Sequence, residues 1–78
     1  MNVQAPKRHA EWVRAEGEAI YQTLLPRLEA EGFKPGQLIA IDISSAGYVV
    51  ADSQLALMDL YESRFGKSPG WVRPIEYS

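Results

Sequence analysis

The sequence predicts an α+β domain in the order α-β-β-α-β, with one three-stranded, mainly antiparallel sheet and two helices on one face. Three observations predict it. Apolar residues recur three to four apart over residues 8–31, isoleucines alternate at Ile39, Ile41 and Ile43, and a second helical run lies between Ser53 and Gly66.

Residues 1–7 are polar, carry Pro6 and show no period, so they read as a disordered leader before a single domain over 8–78. In the first helix Trp12, Val13, Ile20, Leu24 and Leu28 share one stripe with Glu16, and Ala19 widens it. Arg14–Glu18 and Arg27–Glu31 sit at the i,i+4 spacing on the polar side. Pro26 removes a donor and clashes one turn back, yet the apolar period carries through it, which predicts one kinked helix. Gly32 stops that helix, and Pro35-Gly36 signals a turn.

The clearest strand is 37–44, with Ile39, Ile41 and Ile43 facing the core and Leu38, Ala40, Asp42 and Ser44 facing away. Ser45, Ala46 and Gly47 make the turn, with Gly47 expected at positive φ, and residues 48–51 return as the second strand of a hairpin. Asp52 or Ser53 caps the second helix, whose stripe is Leu57, Met58, Tyr61 and Phe65, flanked by Leu60 and Gln54. A third strand over 71–77 places Trp71, Arg73, Ile75 and Tyr77 on one face. Pro74 cannot donate to a ladder, so this strand belongs at an edge with Pro74 turned outward. The β-α-β step sets it parallel to the second strand and beside the first.

Composition narrows the function classes. The 78 residues carry 8 basic and 10 acidic groups for a net charge of −2, spread evenly, without the basic face a duplex-binding module needs. There is no cysteine and one histidine, His9, so thiolate chemistry and multi-histidine metal sites are excluded. Apolar runs such as Leu38–Ile41 fall far short of the roughly 20 residues of a membrane helix. No apolar block follows Lys7 and Arg8, so no secretory signal is read and a cytoplasmic location is expected. A core this small stands near the balance of burial against chain entropy, and a partner or a second copy often completes it.

The segment GQLIAIDISSAGY over 36–48 resembles one found in short bacterial proteins of unassigned activity, patterned Gly-x-x-(Val/Leu)-Ala-Ile-Asp-x-x-Thr-Gly-x-Tyr. Ala40, Ile41, Asp42 and Tyr48 match it; Ala56-Leu57, Arg73 and the Leu25-Pro26 pair also resemble those proteins. Two departures stand out: Thr-Gly falls on Ser45-Ala46 with the glycine one place on at Gly47, and the last strand reads Arg73-Pro74-Ile75 instead of Arg-Ile-Gly. The resemblance implies the fold and a partner protein, as in a two-gene module, and transfers no chemistry.

Among candidate chemical groups, Asp42 stands mid-strand among isoleucines. A catalytic role needs a raised pKa there; the plainer expectation is a carboxylate that is solvated or bonded to the hydroxyls of Ser44 and Ser45. An aspartic-protease loop is rejected because the immediate glycine is missing. His9 lies where leader meets helix and reads as exposed, so Ser44, Ser45, Ser53 and Ser63 have no base. Gly66-Lys67-Ser68 lacks the upstream glycine of a phosphate loop. No catalytic residue, metal or cofactor is expected.

With the helices on the other face, Trp71, Arg73, Ile75 and Tyr77 form an exposed aromatic and aliphatic patch suited to a protein interface. The expected function is a non-enzymatic module that binds another protein or its own copies through the open sheet face or the edge strand. The alternatives are an antitoxin-like regulator touching nucleic acid through Arg73, Lys67 and the aromatics, and third an enzyme built around Asp42.

Overall fold

A computed structural model describes the backbone over residues 5–77, with side chains from Ala10 to Tyr77. Helix α1 (Ala5–Ala30) leads into strand β1 (Leu38–Asp42), strand β2 (Tyr48–Ala51), helix α2 (Gln54–Phe65) and strand β3 (Gly70–Pro74). The α+β class and the element order are as the sequence predicts. Of the expected leader, residues 1–4 lie outside the described residues, while 5–7 already belong to α1: Pro6 is tolerated there because the first-turn N–H groups have no helical partner. Pro26 lies inside one continuous α1.

The sheet order is β2-β1-β3, with both outer strands antiparallel to β1 and hence parallel to each other. The two helices, however, cover opposite faces. Tyr21 and Leu28 of α1 bury Ile39, Ile41 and Ile75, whereas Leu57 and Tyr61 of α2 bury Ala40 and Val49. The expectation of both helices on one face fails for a physical reason. A central strand with Leu38 and Ala40 on one side and Ile39 and Ile41 on the other is apolar on both, and each side needs a helix. Each helix also favours one edge, α1 lying over β1 and β3, α2 over β1 and β2.

The α1 stripe is rotated from the expected one. Val13, Gly17, Tyr21 and Leu28 are buried, while Trp12 is 48% exposed. Gly17 explains the rotation, because a Cβ there would overlap the Cβ and Cγ of Trp71, so the helix meets β3 along its glycine. In α2, Ser53 is the N-cap, accepting from the Ala56 N–H at 3.2 Å, and Gly66 is the C-cap. Met58, expected in the core, is exposed because α2 leans toward β2 and leaves the β3 side open.

The β1–β2 turn departs from expectation by one residue. Ala46 takes the left-handed conformation (φ 63°), and Gly47 does not. Gly47 serves space instead: a Cβ on it would come 2.9 Å from the Phe65 ring. Alanine at positive φ costs roughly 1 kcal/mol. Ala46→Gly is therefore expected to raise the stability measured in urea by up to about 1 kcal/mol, with an unchanged m-value.

Candidate interaction edge

The four residues expected to form an exposed patch lie beneath α1. Ile75 is fully buried. Trp71 donates its indole N–H to Glu18 at 2.7 Å, and the Arg73 guanidinium reaches both oxygens of Glu18 at 3.0 and 3.2 Å. The same guanidinium stands 4.1 Å from the Tyr21 ring centroid, a cation–π contact, with Glu76 at 3.5 Å. Tyr21 donates its hydroxyl to the Glu76 carbonyl and accepts the Glu76 N–H, while Tyr77 donates to the Phe33 carbonyl. These groups fasten α1 to β3. Their face of the sheet is closed, in contrast to the sequence expectation, because α1 occupies it.

Asp42 is 4% exposed, so it is neither solvated nor open to a substrate. One carboxylate oxygen accepts from the Ser45 N–H (3.2 Å) and the Ser45 hydroxyl (2.6 Å); the other accepts from the Ser68 hydroxyl (2.5 Å) and lies 3.4 Å from the Tyr61 hydroxyl, which donates to the Ser68 carbonyl at 2.8 Å. Burial pushes its pKa up, but the Ser45 and Ser68 hydroxyls and the backbone N–H groups outweigh it, and the net direction is down. Tyr61 moves oppositely, to about 12, through burial and the neighbouring Asp42 charge. A saturated, ionised carboxylate is the opposite of a general acid. Its chemistry here is to hold the turn over 45–47 against the loop that carries Ser68.

That turn delivers β2 to the outside of the sheet. The Asp42 N–H bonds the Gly47 carbonyl (2.8 Å), which sets the alternation: Val49 and Ala51 bond β1, and Tyr48 and Val50 turn their N–H and C=O groups outward. At the other edge, the Ile43-to-Pro69 and Ile75-to-Gln37 bonds send Gly70, Val72 and Pro74 outward. Pro74 blunts β3, as edge strands commonly require. The β2 run Tyr-Val-Val-Ala has neither proline nor charge.

A groove of about 560 Å³ follows the β2 edge, walled by Arg27 and Phe33 on one side and by Leu60 and Arg64 on the other. Both arginines are exposed, Leu60 is 46% exposed, and Tyr48 donates its hydroxyl to Glu31 at 2.9 Å. Burial and the Glu31 carboxylate raise the Tyr48 pKa, so the ring stays neutral. Asp52 marks the far end of the strand, accepting from the Gln37 amide at 2.9 Å. Arg27 and Arg64 thus outnumber Glu31 at the Tyr48 end of the edge, while Asp52 stands at the Ala51 end with Lys34 lining the same hollow.

A smaller groove of about 360 Å³ lies beside β3, where Met58 and Val72 are exposed next to Lys67 and Glu62. Among the described residues no three His, Cys, Asp or Glu side chains gather to hold a metal, and no helix is long and apolar enough to cross a membrane. The His9 side chain lies outside the described residues. Sequence reasoning missed the β2 edge, although its signal was present: placing the third strand beside the first leaves the second at an edge. Compared with known protein families, curated proteins and solved structures, the chain matches none.

Proposed function

We propose that the chain is a non-enzymatic interaction module, cytoplasmic and of bacterial type, that takes an extended segment of another protein or of its own copy onto the edge of β2. The observation that supports this reading is the outward backbone of Tyr48 and Val50 on an edge without proline or charge, inside a groove flanked by Arg27 and Arg64. Backbone hydrogen bonds supply the affinity of strand addition, and the flanking side chains supply selectivity. The sequence-derived partner class is kept, and its place moves from Trp71, Arg73, Ile75 and Tyr77 to β2. Nucleic acid is the weaker alternative, since the Arg73 charge is met by Glu18.

Panning a displayed library of short random peptides tests the reading. Extended, alternating peptides with an acidic residue near one end are expected to be enriched, and to shift the amide resonances of 47–51. Val50→Pro removes one outward N–H without touching the β1 ladder, and should weaken such binding about tenfold. Equal binding by wild type and Val50→Pro, or shifts confined to other strands, would overturn it.

A further inference from the structure

The charge order along the β2 edge commits it to one occupant. We infer that β2 pairs antiparallel with β2 of a second copy, making a two-fold dimer with one continuous six-stranded sheet; the inference rests on the strand-addition reading above. Tyr48 and Val50 are the outward residues, so the pairing that uses all their groups sets Tyr48 of one copy opposite Val50 of the other. Two N–H and two C=O groups per copy then make four hydrogen bonds, and none is left over. Val49 meets Val49 of the second copy at the two-fold axis.

This register also sets Ala46 opposite Asp52 of the second copy. Arg27 and Arg64 line the groove at the Tyr48 end, and Asp52 lies just past Ala51, so the antiparallel arrangement brings each basic end to an acidic one. Glu31 keeps its charge at the basic end, where the two arginines outnumber it, and Lys34 lies near Asp52 with no hydrogen bond or ion pair between the two. A parallel arrangement would stack like charges. The two copies of α2 run antiparallel across the axis, setting the C-terminal end of one, with Arg64, near the Ser53 end of the other, which their dipoles favour. Leu60, exposed in the single chain beside Val49, lies where the two helices approach. A second copy of this chain therefore answers the edge in backbone, charge and apolar surface together.

The chain has no cysteine, so Val49→Cys gives a clean probe. A non-hydrogen-bonded antiparallel pair sets Cα atoms about 4.5 Å apart, within disulfide reach. We expect light scattering to give twice 8.7 kDa for the wild type at micromolar concentration, and Val49→Cys to form a covalent dimer on mild oxidation. Val50→Pro should raise the dimer dissociation constant about tenfold or more. Arg64→Asp should raise it roughly fivefold, and adding Asp52→Arg should restore it.

A wild-type monomer at 100 µM protein overturns the inference. So does a dimer that cross-links through Val72→Cys instead of Val49→Cys, because its pairing then lies at β3. Should Val50→Pro fail to fold, the two cysteine variants decide alone. A monomer that still binds extended peptides at β2 sinks the dimer and leaves the strand-addition reading standing; a monomer that binds none there sinks both.

Discussion

Asp42→Ala is expected to lower the unfolding free energy by about 3 kcal/mol, since it strips the acceptor from several charge-assisted hydrogen bonds at one buried point. The whole stability of a 78-residue domain is on the order of 4–12 kcal/mol, so this one carboxylate carries a large share. Asp42→Asn keeps the shape and loses the charge, and should cost less. It has a second signature. The folded-state pKa of Asp42 is depressed, so its stabilisation is complete above the unfolded carboxylate value near 3.8 and disappears as pH falls through the folded value. Urea titrations from pH 7 down to pH 2 should show the wild type losing stability below about pH 4 more steeply than Asp42→Asn. Parallel curves would mean that the charge does not support the fold. Loss of a turnover, were any found, would instead revive the enzyme alternative.

Gly17→Ala is expected to destabilise by about 2–3 kcal/mol, against the ordinary direction for a helix interior. Helix propensity alone predicts a gain near 1 kcal/mol. Overlap wins here because the new methyl meets the Cβ and Cγ of Trp71, atoms close to the β3 backbone that cannot swing away. Trp71→Gly removes the obstacle, whereas alanine would keep the Cβ that the new methyl meets first. The glycine variant is itself destabilising, through lost burial and the lost Glu18 bond. In the double variant the Gly17→Ala penalty should vanish. Thermal unfolding of the four members of this cycle measures the coupling, and additivity would show that α1 does not pack where described.

Local signals in the sequence were legible at the helix ends and at the edge proline, but not at the β1–β2 turn, where Ala46 and not Gly47 takes the positive φ. Gly32, Ser53 and Gly66 end or begin helices through caps, and Pro74 turned outward on an edge strand because it has no N–H. The faces were harder. Leu38 and Ala40 are apolar but share their side with Asp42, and that aspartate made the side look wet; only the distant Ser68 and Tyr61 reveal it as buried. The misplacement of α2 then opened a false surface at Trp71, Arg73, Ile75 and Tyr77. Tyr21 was likewise absent from the predicted stripe, because its burial depends on Arg73 and Glu76, more than fifty positions along the chain. Long-range polar partners leave no periodic trace.

The fastening of α1 has a consequence for how the chain is made. Its buried stripe rests on β1, on β3 and on the stretch from Ile75 to Tyr77, with Tyr21 clasping Glu76 and Phe33 receiving the Tyr77 hydroxyl. At 5–20 residues per second, a ribosome needs about 2–10 s to go from Leu28 to Tyr77, and for that time the apolar stripe of α1 lacks β3 and the stretch after it to complete its cover. In the chain, α1 precedes every strand that it rests on. During synthesis its Val13, Tyr21 and Leu28 are open to chaperones, and chains broken off before Ile75 should present that same face to proteases.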